Sequence, residues 1–92
     1  MIIEHFRNGD AGPVYRRFDE QGRLMPDGLK YVNSWVSADL KSCFQVMESP
    51  SGDLLREWIE DWEDHVDFEV IPVVTSTKAR EIVNLRTPHT AK

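Results

Sequence analysis

Residues 29–48 read LKYVNSWVSADLKSCFQVME, and this stretch decides the fold. Leu29 to Val36 is rich in Tyr, Val and Trp, side chains that suit a pleated, half-buried strand. Ser37 to Leu40 is short and polar. Ser42 to Glu48 resumes the strand pattern, so the two segments are expected to pair as a hairpin. Strand side chains alternate between faces. One alternating set is Tyr31, Asn33, Trp35, Cys43, Gln45 and Met47. The other is Val32, Val36, Phe44 and Val46, with Ser34 and Glu48. The second set is small and aliphatic with one Phe, and is expected beneath helices. The first mixes aromatics with two amides and is expected to form an uncovered face that meets a ligand or a second subunit.

Upstream of the hairpin, Met1 to Phe6 reads as a strand that starts at once. Asn8-Gly9-Asp10 is a turn signal with Asp10 placed to cap a helix. Pro13 falls in the first turn, where its missing N–H costs little. Ala11, Val14, Tyr15 and Phe18 recur at helical spacing, and Gly22 ends the helix. Downstream, Pro50-Ser51-Gly52-Asp53 breaks the pattern and Ser51 is placed to cap. Leu54, Leu55, Trp58, Ile59 and Trp62 form the apolar side of a second helix. Asp67 to Thr75 is expected as the fourth strand, with Pro72 marking an edge, a bulge or a break. Ser76 is placed to cap a short third helix through Val83, which leaves a polar tail at 84–92.

The order β-α-β-β-α-β predicts an α+β ferredoxin-like domain over residues 1–83: a four-stranded antiparallel sheet, a short C-terminal helix, and both main helices on one face. The opposite face has no cover from its own chain. Closed twofold dimers are the commonest oligomers, so a homodimer is the expected partner. A small organic molecule in a pocket on that face is the other expected occupant. That reading expects a cavity of about 300 Å³ or more near Trp35 and Gln45.

The chain has 92 residues, with 11 Lys and Arg against 16 Asp and Glu, a formal charge of −5. An acidic chain whose single adjacent basic pair is Arg16-Arg17 lacks the basic stripe that nucleic acid requires. No apolar run is long enough to span a membrane, and the N-terminus lacks the pattern of a signal peptide. The lone Cys43 forms no internal disulfide, which fits a cytoplasmic protein.

The segments IEHFRNGDAGPVYRRF, GRLMPDGLKYVNSWV, CFQVMES and VDFEVIPVVTS resemble the bacterial family called domain of unknown function 3303, across about residues 2 to 77. The order and spacing of the segments match as well as the words themselves. The resemblance implies the fold and carries no activity. At fold level the topology is similar to dimeric α+β barrel proteins, among them cofactor-free monooxygenases and isomerases, but fold alone does not fix function.

Glu4 and His5 are the candidate acid–base residues. As neighbours on a strand they point to opposite faces, so one of them joins the pocket. Asn33 and Gln45 would orient a substrate oxygen. The plainer alternative is a buried polar network that sets dimer register, because buried amides need partners with or without chemistry. Cys43 reads as a small buried apolar residue, since no base adjoins it in sequence. Asp61, Asp64 and His65 have loose metal-ligand spacing, but read as part of a solvated acidic face. His65 is the least unsuitable haem ligand, and nothing in its setting selects it. Nucleotide, zinc and nucleophile-elbow motifs are absent. No cofactor or metal is expected. Three functions remain: a ligand-binding homodimer, a cofactor-free monooxygenase or isomerase, and a structural or protein-interaction module.

Overall fold

The computed structural model describes residues 1–86. Its elements are β1 (Ile2–Phe6), α1 (Gly12–Gln21), β2 (Lys30–Val36), β3 (Ser42–Glu48), α2 (Gly52–Glu60), β4 (Val66–Val70) and α3 (Ser76–Arg86). The sheet runs β2-β3-β1-β4, and every neighbouring pair is antiparallel. This is the ferredoxin-like α+β fold that the element order predicts.

Local signals explain most boundaries. The Asp10 side chain accepts the Gly12 amide at 2.9 Å, and Pro13 stands at the start of α1. Gly22 follows α1 at φ 71, a conformation that favours glycine, and its amide donates to the Phe18 carbonyl. At α2, Ser51 holds the cap position in extended backbone without a side-chain cap bond. Thr75, rather than Ser76, caps α3: its hydroxyl accepts the Lys78 amide at 3.0 Å.

Two boundaries differ from expectation by more than one residue. β4 ends at Val70 instead of Thr75, because Pro72 has no N–H to continue the ladder. Helix α3 runs to Arg86, three residues into the expected tail. The rest of that tail lies outside the described residues.

The buried core joins Ile2, Phe6 and Val66 of the sheet to Val14 of α1, Leu29, Cys43, Trp58 and Trp62. A nine-residue helix such as α2 is too short to persist alone in water. Trp58 and Trp62 supply what it lacks, since each aromatic of this size buries about 150–250 Å². Both indole N–H groups donate to the Arg23 carbonyl at 3.0 Å, so its two lone pairs are used. The Trp58 ring also meets Phe68 edge-on, with centroids 5.6 Å apart.

Candidate functional site

Pairing register places each strand side chain on a face. Glu4 lies opposite Cys43 on one side and Phe68 on the other. Gln45 pairs with Ile2 and Ser34, and Cys43 with Val36. Paired residues share a face, so Ile2, Glu4, Phe6, Ser34, Val36, Cys43, Gln45 and Met47 look toward the helices. Ile3, His5, Phe44, Val46, Asn33 and Trp35 look the other way.

The six hairpin residues expected together on the uncovered face are therefore split. Asn33 and Trp35 do lie there, with Trp35 55% exposed. Cys43, Gln45 and Met47 lie beneath the helices, whereas Phe44 and Val46, expected beneath the helices, lie on the bare side instead. The reason is the register Trp35↔Phe44 and Val36↔Cys43, which pairs odd positions of β2 with even positions of β3. A bulge between Tyr31 and Asn33 then turns Tyr31 to the helix side, opposite Met47.

A cavity of about 170 Å³ lies between sheet and helices. It is smaller than the volume expected for a ligand site, and it adjoins Gln45 but not Trp35. Glu4, Cys43, Gln45 and Ser34 form its sheet wall, while Tyr15, Phe18, Trp58 and Trp62 line it from the helix side. Of the six expected pocket residues, Cys43 and Gln45 line it. Tyr31 and Met47 sit near it on the same face.

Glu4 dominates its electrostatics. The residue is 7% exposed, and burial pushes its carboxyl up to about 7, with Arg23 offsetting part of the rise. Desolvation disfavours the charged form of an acid, so a carboxyl among apolar walls holds its proton longer. Cys43 beside it is raised to about 11, by burial first and then by the charge of Glu4, which makes its thiol a poor nucleophile at neutral pH. Tyr15 is also raised, by burial first, then by Cys43 and Glu4. Arg23 is the cation facing this group. Its guanidinium lies 3.7 Å from the Tyr31 ring centroid and 5.0 Å from that of Phe18. Stacking between two aromatic faces holds it in place. Tyr31 in turn shares a 2.7 Å hydrogen bond with the Ser34 hydroxyl. The Gln45 amide donates to the Met47 sulfur at 3.0 Å.

His5 takes no part in the cavity. It lies on the bare face, bonded to Ser42 at 3.2 Å and to Glu69 at 2.5 Å. Asp64 is engaged by Arg17, whose guanidinium donates to both carboxylate oxygens at 2.8 and 2.6 Å and to the Asp61 carbonyl at 2.7 Å. His65 Nε2 lies 3.5 Å from Asp64. Among the described residues no group of three His, Cys, Asp or Glu is arranged to hold a metal ion.

Sequence reasoning missed Arg23, Tyr15, Phe18 and Ser34 as cavity residues. The helical spacing of Tyr15 and Phe18 put them on the packed side of α1, so that signal was present. Nothing near Arg23 in the chain marks it, because its role depends on Tyr31 and Glu4 from other elements.

Residues 1–86 match the model of the family described as Domain of unknown function (DUF3303). The chain belongs to that family. No curated protein and no solved structure matches it. Membership of the domain of unknown function 3303 family assigns no chemistry. Among the described residues no helix is long and apolar enough to cross a membrane.

Proposed function

We propose that this protein binds a small organic molecule in the cavity between sheet and helices, and that it works as a homodimer. The single observation that carries the ligand reading is Glu4, a nearly buried carboxyl directed at a cavity with aromatic walls. A buried ionisable group is costly unless something it meets repays the cost. A cavity of about 150 Å³ takes up benzene, so a ring of that size with one hydroxyl or amine to meet Glu4 fits the volume and the wall chemistry. The dimer reading rests on the bare face, where Ile3, Phe44 and Val46 adjoin Trp35. An apolar patch of this kind on a small domain marks an interaction surface.

Glu4 also favours a second reading, a cofactor-free isomerase or monooxygenase. A carboxyl that titrates near 7 is matched to proton transfer at neutral pH. Glu4 would be the base, with Gln45 and Ser34 orienting an oxygen of the substrate. Asn33, on the opposite face, drops out of this assignment, and so does His5.

Native mass spectrometry of protein isolated from its host without denaturant tests the proposal. The expected result is a dimer that retains a small added mass, or takes up added phenol or benzylamine, with both losses in Glu4→Leu. A chain that carries nothing and takes up neither probe contradicts the ligand reading. A monomeric mass contradicts the dimer. Uptake of a substrate by Glu4→Gln without turnover would select the enzyme reading.

A further inference from the structure

Beyond Ile71 the chain leaves the body of the domain. The last ties are reciprocal: the Ile71 amide donates to the Met1 carbonyl at 2.8 Å, and the Met1 ammonium donates to the Ile71 carbonyl at 2.7 Å. Pro72 then ends the ladder. No residue of α3 is buried. Val73 and Val74 are 53% and 58% exposed, Val83 57% and Leu85 86%. The radius of gyration is 16.8 Å and the longest extent 59 Å, whereas a compact chain of this length has a radius of about 12 Å. The segment is thus an arm with exposed apolar side chains, held away from its own core.

Its charge opposes that of the body. Residues 1–75 carry seven Lys and Arg against fifteen Asp and Glu, a balance of −8. Helix α3 carries Lys78, Arg80 and Arg86 against Glu81, a balance of +2. The bare sheet face carries half-buried Phe44 and Val46 and exposed Trp35, and on its β4 side Asp67, paired with Arg7 at 3.3 Å, and Glu69, bonded to His5. Apolar valines followed by a basic helix complement an apolar strip beside an acidic edge. Residues 72–75 in extended form reach about 13 Å and α3 adds about 16 Å, while four strands span about 15 Å. The arm is long enough to cross such a sheet.

We propose that residues 72–86 form an exchanged arm that docks on the bare sheet face of a second copy of this chain. Val73 and Val74 cover the partner's apolar strip, and Lys78 and Arg80 face the acidic β4 edge. This inference rests on the homodimer reading above and is independent of the ligand. It specifies which segment holds the two copies together.

The test uses full-length chains in two populations, Val74→Cys and Asn33→Cys, mixed and then oxidised. Asn33 is an exposed residue on the bare face, and native Cys43 is buried. The proposal expects a disulfide between the two populations in excess of those within each. It also expects Val73→Asp/Val74→Asp to weaken self-association at least ~10-fold with an unchanged circular dichroism spectrum, the effect of placing charge in an apolar contact. A dimeric mass with no excess of mixed disulfide overturns the arm and leaves the dimer standing. A monomeric mass overturns both. A monomer that sediments with phosphatidylserine vesicles also overturns it, and assigns the basic arm to a lipid surface. A Val74→Cys/Asn33→Cys double variant that closes within one chain overturns it in favour of a self-covered face.

Discussion

Glu4 carries the most consequence of any single residue, because its protonation is coupled to folding. Its carboxyl is raised from an ordinary 4.5 to about 7 in the folded chain. The folded state therefore binds the proton more tightly than the unfolded state. The resulting stability is fully present below 4.5 and is lost as pH rises toward and through about 7. The whole effect is on the order of 3 kcal/mol. Urea midpoints of wild type and Glu4→Gln at pH 5 and pH 8 isolate it. Wild type should lose more stability across that interval than the variant does, and equal losses would show that Glu4 titrates normally. Arg23 modulates the same group, since its charge draws the carboxyl down. Arg23→Gln should move the Glu4 midpoint upward, which carboxyl ¹³C chemical shifts against pH would read directly. An unmoved midpoint would separate Arg23 from the site.

Between elements, the Arg17 fork ties α1 to the turn after α2. It holds the Asp64 carboxyl down to about 2, chiefly through the side-chain hydrogen bond. A depressed carboxylate stabilises above its unfolded value and loses that contribution as pH falls toward 2. The Asp64 side chain is 56% exposed, so screening keeps the pair below about 1 kcal/mol. Asp64→Asn should lower the urea midpoint slightly at pH 7 and by less at pH 2, and an equal loss at both would point to packing instead. The elements themselves were legible in the sequence, because each rests on local chemistry. Asp10, Pro13 and Gly22 mark α1, and Pro72 gives a physical reason for the early end of β4. The faces of the hairpin were not legible. Alternation fixes which residues of one strand travel together, as with Cys43, Gln45 and Met47. It is silent on which set of the neighbouring strand joins them. That depends on the register through residues 37–42 and on the bulge at Tyr31/Asn33, both of which are settled by pairing. The choice between Glu4 and His5 was hidden for the same reason, and it falls to Glu4 through its pairing with Cys43 and Phe68.

Across the whole molecule, one sheet separates a helix-covered cavity around Glu4 from a bare face around Trp35. Substitutions should sort accordingly. Trp35→Ala should weaken association more than it weakens folding, because its side chain is largely outside the core. Trp58→Ala should cost about 3–5 kcal/mol of stability, because that side chain is buried and anchors α2. Sedimentation equilibrium beside urea denaturation would separate the two, and a Trp35→Ala chain with unchanged mass would remove the bare face from the dimer. On the proposed function, ligand chemistry belongs to the cavity and not to the bare face. Titrating phenol into ¹⁵N-labelled full-length protein, followed by amide and indole shifts, tests it most directly. Saturable shifts clustered at Glu4, Cys43 and Gln45 and at the indoles of Trp58 and Trp62 are expected. Shifts confined to Asn33, Phe44 and the Trp35 indole, or no saturable shift at all, would contradict it.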